Sequence, residues 1–246
     1  MHPVIYQWGP FTIYSYGLML AIAVIVCSFF MSRDAERLGM KPELVFDFIF
    51  WITVSGILGA RLFFITLNWK FFLENPLEMI MIQKGGLAWQ GGLTLGSLAA
   101  WLFIKQHKLH LLTTLDLASP YIALGQSIGR IGCFLNGCCF GKEVSWGIYF
   151  SVHEAHLHPT QLYCSFGLLI IFFLLKKYQT KSPVPGKTFA LYLILASILR
   201  FTVEFFRADH EIIFLGLSIY QLISLTFFVM GCVLFKKLRP YAGSLP

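Results

Sequence analysis

The fold is decided by long apolar runs, and the first of them, residues 13–31, reads IYSYGLMLAIAVIVCSFFM. This run contains no Asp, Glu, Lys or Arg. A helix of roughly 20 apolar residues crosses the hydrocarbon core of a bilayer, so the run predicts a membrane-spanning helix. Residues 1–10 lack the Lys or Arg of a cleavable signal peptide, and we expect this first helix to be retained.

The composition of the chain places it in lipid. Of its 246 residues, 57% are hydrophobic and 13% are charged, and the mean hydropathy is +0.71. Soluble domains carry roughly 25% charged residues. The net charge of +7 comes from basic residues in short clusters between apolar runs. That pattern indicates contact with anionic lipid headgroups, and it argues against nucleic acid as a partner.

Seven apolar segments have the length of a membrane span. They are continuous rather than alternating, which favours helices over a closed barrel, the other structure that satisfies the backbone in lipid. The predicted fold class is all-α: a polytopic integral membrane protein with seven transmembrane helices in one domain, residues 1–246. The predicted spans are 13–31, 44–65, 86–104, 115–135, 159–175, 188–206 and 214–235.

The segments between the spans alternate in positive charge. Twelve Lys and Arg residues fall in one set of segments, 32–43, 105–114, 176–187 and 236–246. Four fall in the other set, 1–12, 66–85, 136–158 and 207–213. Because cytoplasmic loops are enriched in Lys and Arg, we expect the N-terminus outside and the C-terminus in the cytoplasm. Residues 136–158 then form a small extracytoplasmic loop.

Three arginines, Arg61, Arg130 and Arg200, fall within predicted spans, toward their outer ends. An arginine at membrane depth must pair, snorkel or serve a function. Arg200 shares one helix face with Glu204 and Arg207, at positions i, i+4 and i+7. Two interpretations stay open: a self-neutralising cluster, or an anion bound by an arginine that Glu204 orients.

Glycines surround one of these arginines in Gly129-Arg130-Ile131-Gly132, and Gly137 and Gly141 follow. Glycines alone favour close helix packing. A guanidinium among them favours a phosphate site, because its planar fork matches phosphate oxygens. A second glycine-rich stretch, residues 85–92, reads GGLAWQGG. It fits a hinge, a packing surface or a pocket wall, and its spacing does not choose between them.

The cysteine and histidine patterns do not predict a metal site. No C-x-x-C pair occurs among the six cysteines, which argues against a zinc site and a disulfide framework. Three histidines crowd residues 153–158 without a matching carboxylate pair, so we expect no metal there. Structural roles are favoured over catalytic ones for three cysteines near Arg130, namely Cys133, Cys138 and Cys139.

Residues 125–129, Gly-Gln-Ser-Ile-Gly, match the G-x-S-x-G motif of serine hydrolases. The motif has a catalytic meaning only on a sharp strand-to-helix turn. Here it lies inside an apolar helical run, where small residues indicate packing. We therefore interpret Ser127 as a packing residue.

Six short sequence stretches, spread along the chain, together match the pattern of a known protein family. They are Tyr14–Gly17, Gly59–Leu62, Gly85–Leu93, the GRIGCFLNG stretch Gly129–Gly137, the HPTQLY stretch His158–Tyr163 and the RFTVEFFR stretch Arg200–Arg207. Together they resemble the prolipoprotein diacylglyceryl transferase family over nearly the whole chain. The GRIGCFLNG and HPTQLY stretches are specific in combination, and neither is specific alone.

The resemblance implies an enzyme of the bacterial inner (cytoplasmic) membrane. It moves the diacylglyceryl group of phosphatidylglycerol to the lipobox cysteine thiol of preprolipoproteins, the first step of lipoprotein maturation. No metal or organic cofactor is implied. We expect a monomer whose partners are phosphatidylglycerol, the signal peptides of preprolipoproteins and membrane lipid.

The resemblance also implies roles for individual residues. The arginines stabilise the charge on the leaving phosphate, Glu204 orients one of them, and Tyr16 contacts the headgroup or assists proton transfer. The catalytic set is then Arg130, Arg200, Tyr16 and Glu204. The substrate-binding set is Arg130, Arg207, Gln90, Asn136, Gly137, Gly141 and Arg61.

Three positions depart from the family pattern. Gln90 stands where some members have histidine, Cys133 where asparagine is common and Cys138 where glutamate is common. Glutamine cannot act as a base, so the group that deprotonates the acceptor thiol stays open. These departures motivate an alternative, a non-catalytic or transport relative that binds anionic lipid. The chain shows no internal sequence repeats, which argues against the transporter interpretation.

Overall fold

The computed structural model describes residues 2–8, 11–37, 39–81, 85–181, 184–208, 212–214 and 216–238. Most of these residues are helical. The helices are α1, Ser15–Arg37; α2, Pro42–Leu67; α3, Trp69–Glu74; α4, Trp89–Gln106; α5, Leu111–Asn136; α6, Thr160–Gln179; α7, Lys187–Glu204; and α8, Ile219–Lys237.

Within these ranges, every α-helix except the short α3 has 18 residues or more and overlaps one predicted span. Four of the long helices, α1, α2, α6 and α8, are long and apolar enough to cross a membrane, with mean hydropathies of 2.0, 2.0, 1.4 and 1.7. The chain is therefore a helical membrane protein. Seven spans and the orientation of the termini remain predictions.

The less apolar long helices, α4, α5 and α7, carry half of the predicted functional residues. Gln90 lies on α4, Arg130 on α5, and Arg200 and Glu204 on α7. Polar groups at membrane depth are unfavourable and are kept mainly where they serve a site. The same residues that point to function thus lower the apolarity of these helices.

Short antiparallel hairpins add to the predicted all-helical architecture. The strands are β1, Val4–Trp8; β2, Phe11–Tyr14; β3, Glu143–Phe150; β4, Ala155–Leu157; β5, Ile212–Phe214; and β6, Leu217–Ser218, paired β1–β2, β3–β4 and β5–β6. The β3–β4 hairpin occupies the predicted loop 136–158, with Tyr149 opposite His156. A 3-10 helix, Pro76–Met79, follows α3.

The chain divides into two compact units. The first comprises residues 1–27 and 112–246, and the second comprises residues 28–111. The first unit holds the start of α1, nearly all of α5, and α6 to α8, and the second holds α2 to α4. Two packing units can belong to one domain, so a single membrane domain stays our prediction.

Glycines bring α2 and α4 together in the second unit. A Cβ added at Gly91 would lie 2.2 Å from the carbonyl oxygen of Gly59, and one added at Gly59 would lie 2.4 Å from that of Gly91. Only glycine permits such an approach of two backbones. Of the interpretations open for the 85–92 stretch, close packing is supported at Gly91.

Arg61 is buried in the second unit and bonded to backbone carbonyls. Its Nε donates to Met79 at 3.0 Å, and its Nη1 donates to Gly85 at 2.6 Å and Gly86 at 2.9 Å. Its Nη2 donates to Glu78, and to Met81 at 3.4 Å. All five guanidinium N–H groups thus have acceptors. Arg61 ties the segment that follows α3 to helix α2.

Hydroxyl pairs and caps organise the first unit. Ser127 on α5 donates to the carbonyl oxygen of Ser165 on α6 at 2.8 Å, and Ser165 donates back to that of Ser127 at 2.9 Å. Asp116 on α5 accepts from the backbone N–H groups of Gly186 at 2.6 Å and Phe189 at 2.8 Å. A carboxylate at a helix start satisfies unpaired N–H groups, so Asp116 fixes α7 against α5.

Candidate functional site

The end of α7 carries a buried charge cluster. Glu204 is fully buried, and its Oε2 lies 2.8 Å from Nη2 of Arg200 and 3.9 Å from Nε of Arg207. Its Oε1 accepts a hydrogen bond of 3.1 Å from Oγ of Ser218. A carboxylate removed from water needs such compensation. The cluster therefore pairs Glu204 with both arginines that sequence analysis placed on its helix face.

Ser218 links this cluster to the start of α8. Its Oγ accepts from the backbone N–H of Gln221 at 3.3 Å, and Oε1 of Gln221 accepts from the backbone N–H of Ser218 at 3.0 Å. This is a capping box, which fixes where the helix begins. Ser218 was not among the predicted site residues. The Ser-x-x-Gln spacing before an apolar run is the signal that locates it.

Arg200 retains an unused donor. Its guanidinium carbon lies 5.2 Å from the ring centroid of Tyr220, and Nη2 faces Glu204. Among the residues that the structure describes, the buried Nη1 of Arg200 has no hydrogen-bond acceptor. A buried polar group left without a partner costs about 1–3 kcal/mol. Nη1 is therefore available to donate to an external acceptor.

Arg130 lies half-buried near the C-terminal end of α5. Across the described ranges its guanidinium forms no ion pair with a carboxylate and no hydrogen bond. Arg130 lies within electrostatic range of Arg200 and, separately, of Tyr16. Two guanidiniums at such range repel each other. An anion between Arg130 and Arg200 would turn that repulsion into attraction.

Tyr16 reaches this end of α5 because a glycine faces it. A Cβ added at Gly132 would lie 3.3 Å from Cδ2 of Tyr16 and 3.0 Å from Cβ of Met19. The missing side chain lets α1 approach α5 closely. Tyr16 is 42% exposed, so part of its surface is open to contact with a ligand.

A glycine turn ends α5 directly after Asn136. The N–H of Gly137 donates to the carbonyl oxygen of Phe134 at 3.1 Å, and that of Cys138 to Cys133 at 3.2 Å. Gly137 has a φ of +75°. These features form a Schellman motif, in which glycine adopts the left-handed conformation without strain. Gly137 therefore shapes the site through its backbone conformation, which turns the chain at the end of α5.

The loop after this turn is held by the first turn of α6. Thr160 Oγ1 donates to the carbonyl oxygen of Cys139 at 2.8 Å, and Gln161 Nε2 donates to that of Cys138 at 2.6 Å. A Cβ added at Gly141 would lie 2.4 Å from the carbonyl oxygen of Phe206. Thr160 and Gln161 of the HPTQLY stretch therefore hold the loop that follows α5, and Gly141 of that loop packs against the segment that follows α7. Sequence analysis quoted Thr160 and Gln161 without assigning them this role.

Three thiols meet at the same place. The Sγ atoms of Cys133, Cys138 and Cys139 all lie within 4.8 Å of one another, and those of Cys138 and Cys139 are 3.6 Å apart. Hydrogen bonding with Cys133 and Cys138 lowers the pKa of the Cys139 thiol, as do the charges of Arg130 and Arg207. The sequence spacing did not predict this cluster.

The histidines of the 153–158 segment have separate partners. Nε2 of His153 lies 2.9 Å from the carbonyl oxygen of Gly137, and Nδ1 of His156 lies 3.0 Å from that of Gly147. Nδ1 of His158 lies 3.1 Å from the Tyr163 hydroxyl. Of the side chains that the structure describes, only the three thiols group closely enough to share a metal ion.

The remaining predicted binding residues, Arg61 and Gln90, lie in the second unit. Because the donors of Arg61 are taken by backbone carbonyls, we assign it a structural role and leave it out of the phosphate site. Gln90 is the second residue of α4, and its side chain is exposed. Ser127, the serine of the G-x-S-x-G match, is buried inside α5 with Ser165 as its partner, so it is a packing residue.

Comparisons with known proteins agree with the resemblance in the sequence. The family model described as prolipoprotein diacylglyceryl transferase matches residues 3–236. The phosphatidylglycerol–prolipoprotein diacylglyceryl transferase of Clostridium tetani is 34% identical and that of Nostoc sp. 32% identical. The matches cover 96% and 99% of this chain, and 97% and 93% of the relatives. The chain belongs to the prolipoprotein diacylglyceryl transferase family.

Proposed function

We propose that this enzyme transfers the diacylglyceryl group of phosphatidylglycerol to the lipobox cysteine of preprolipoproteins, with Arg130 and Arg200 binding the phosphate of the donor lipid. The family match and the names of the relatives support this reaction over the alternative of a non-catalytic lipid-binding protein. The observation that carries the assignment of residues is the pair of guanidiniums. Arg200 keeps a buried donor without an acceptor, and Arg130 keeps its whole fork free within the described residues.

The transfer reaction requires positive charge near the phosphate that leaves. The acceptor thiolate attacks the glycerol carbon that carries the phosphate, the carbon–oxygen bond breaks, and glycerol phosphate leaves with the bonding electrons. Negative charge therefore grows on the leaving phosphate. Donors fixed in advance around that oxygen stabilise the transition state more than the ground state. Arg130 and Arg200 supply this stabilisation in our proposal.

Glu204 acts through Arg200 rather than on the substrate. It is fully buried, and both of its oxygens face groups of the protein, Arg200 and Arg207 at Oε2 and Ser218 at Oε1. We therefore propose Glu204 and Arg207 as positioning residues, with the unused Nη1 of Arg200 directed at the lipid.

Tyr16, Asn136, Gly137 and Gly141 form the proposed surroundings of the headgroup. Tyr16 lies within electrostatic range of Arg130, and its exposed side chain is available to contact the headgroup. Gly137 and Gly141 shape the loop that separates α5 from α6. Gln90 remains a proposed substrate contact, and the group that deprotonates the acceptor thiol stays open.

The membrane arrangement is part of the proposal. We propose seven spans, an external N-terminus, a bacterial inner-membrane location and a monomer. The long helices that overlap the predicted spans and the alternation of Lys and Arg between the connecting segments support the spans and the orientation. The phosphate site then lies toward the outer leaflet, where Arg130 and Arg200 end their helices.

An assay with labelled phosphatidylglycerol and a lipobox peptide tests the proposal. We expect the purified wild-type protein to form the thioether, and Arg130→Ala and Arg200→Ala to lose this activity while inserting normally. Arg130→Lys should be little more active than Arg130→Ala, because an ammonium group lacks the planar, two-pronged donor geometry of a guanidinium. Arg37→Ala is the matched control, since that side chain is 81% exposed. Full activity in either alanine variant of the pair would refute the assigned roles.

A further inference from the structure

The three-thiol cluster is not used by the proposed transfer reaction. Cys133 lies in the last turn of α5, and Cys138 and Cys139 lie in the loop that follows. Their sulfur atoms lie within 4.8 Å of one another although four residues separate the first from the second. Each sulfur offers one soft ligand, and together they surround one point.

Several hydrogen bonds hold the backbone around the three cysteines. The Schellman turn closes α5 through the bond from Cys138 N–H to the Cys133 carbonyl, 3.2 Å long. Thr160 and Gln161 hold the carbonyls of Cys139 and Cys138 from another helix. Cys139 has a φ of +63°, which non-glycine residues rarely adopt. A strained residue held by several bonds is typical of functional sites.

We propose that Cys133, Cys138 and Cys139 bind one soft monovalent metal ion of the Cu(I) class in a trigonal thiolate site. Thiolates are the ligands that select soft ions such as Cu(I). With a metal–sulfur bond of about 2.3 Å, trigonal geometry places the sulfurs about 4.0 Å apart. The observed separations lie within 4.8 Å, and one is 3.6 Å, so each sulfur–sulfur distance has to change by less than about 1 Å.

Coordination number favours this ion over a divalent one such as Zn²⁺, because the cluster offers three sulfur ligands. All three sulfurs bind the ion as thiolates, and any protons they carried are released to solvent, so the Cu(I) complex carries two negative charges. Arg130 lies one helical turn before Cys133 on α5, so its guanidinium offsets part of this negative charge. Zn²⁺ sites need a fourth ligand. The nearby ring nitrogens His153 Nε2 and His158 Nδ1 already have partners in Gly137 and Tyr163.

A binding titration tests the site independently of lipid transfer. The full-length protein, reduced and in detergent, is titrated with Cu(I) against bathocuproine disulfonate as a competing chelator. We expect one ion per chain and a sulfur-to-copper charge-transfer band in the ultraviolet. Cys138→Ser and Cys139→Ser should each weaken binding by more than about 100-fold, because loss of a direct ligand exceeds the 10–100-fold effect of an outer contact. Cys232→Ser, outside the cluster, should bind like the wild type.

A second measurement on the unmutated chain removes any dependence on how variants fold. Bound Cu(I) should protect Cys138 and Cys139 from alkylation by N-ethylmaleimide, read by mass spectrometry, and leave Cys232 as reactive as before. The inference is overturned if the reduced wild-type protein binds no Cu(I), or if Cys138→Ser binds as tightly as Cys232→Ser. Equal alkylation with and without the ion would overturn it as well.

Discussion

Replacing Glu204 with glutamine removes one charge from the buried cluster and little else. The amide keeps the shape of the side chain and an oxygen that can accept from Ser218, now 3.1 Å away. The ion pairs to Arg200 and Arg207 are lost. Breaking a buried pair by neutralising one partner costs about 3–5 kcal/mol. Arg200 is 25% exposed, so solvent compensates part of this, and we take the lower bound of about 3 kcal/mol.

If Glu204 positions Arg200, its replacement should raise the activation free energy of lipid transfer by about this amount. A barrier raised by about 3 kcal/mol slows the reaction about 100-fold. We expect kcat for labelled phosphatidylglycerol to fall more than KM rises, because the leaving phosphate gains its charge only in the transition state. Glu204→Asp should also be slow, since the shorter side chain does not reach Arg200.

A double-variant cycle separates positioning from general stability. In an Arg200→Ala background, Glu204→Gln should cause little further loss of activity, because its partner is already gone. Thermal unfolding of each variant in detergent checks that the chains remain folded. Fully additive losses, or wild-type activity in Glu204→Gln, would contradict the idea that Glu204 acts through Arg200.

Three other substitutions have distinct expected outcomes. Gly141→Ala should lose activity, because its Cβ would meet the Phe206 carbonyl oxygen at 2.4 Å; Gly129→Ala, where a Cβ meets nothing within 4 Å, is the control in the same assay. Ser127→Ala should transfer lipid at nearly the wild-type rate and lower stability by about 1 kcal/mol; an inactive protein would revive the hydrolase interpretation. Arg61→Lys should lower the unfolding temperature, since three donors cannot satisfy five carbonyl contacts, and an unchanged temperature would contradict its structural role.

Local patterns predicted the helices well because their causes are local. An apolar run without charges favours a helix in lipid wherever it packs. The i, i+4, i+7 spacing put Arg200, Glu204 and Arg207 on one face, and the structure joins them in one cluster. The short hairpins were not predicted, because most of their strands have only two to five residues and give too weak a periodic signal.

Contacts between segments far apart in the chain could not be predicted from local sequence patterns. The sequence treated Arg61, Arg130 and Arg200 alike, as arginines within spans. The fold surrounds Arg61 with five carbonyl contacts from residues 17 to 25 positions away, whereas Arg200 keeps a buried N–H without an acceptor among the described residues. Which arginine is structural and which is available depends on what packs around each guanidinium.

The sequence by itself determined that the chain is a helical membrane protein of a lipid-transferring family, because hydropathy and residue-specific motifs are read along one dimension. Only the tertiary structure decided how the site is built. It brought the thiols of Cys133, Cys138 and Cys139 together and set Ser218 against Glu204. Such contacts arise where a helix end, a glycine turn and a neighbouring helix meet, and their geometry follows from packing, not from spacing in the chain.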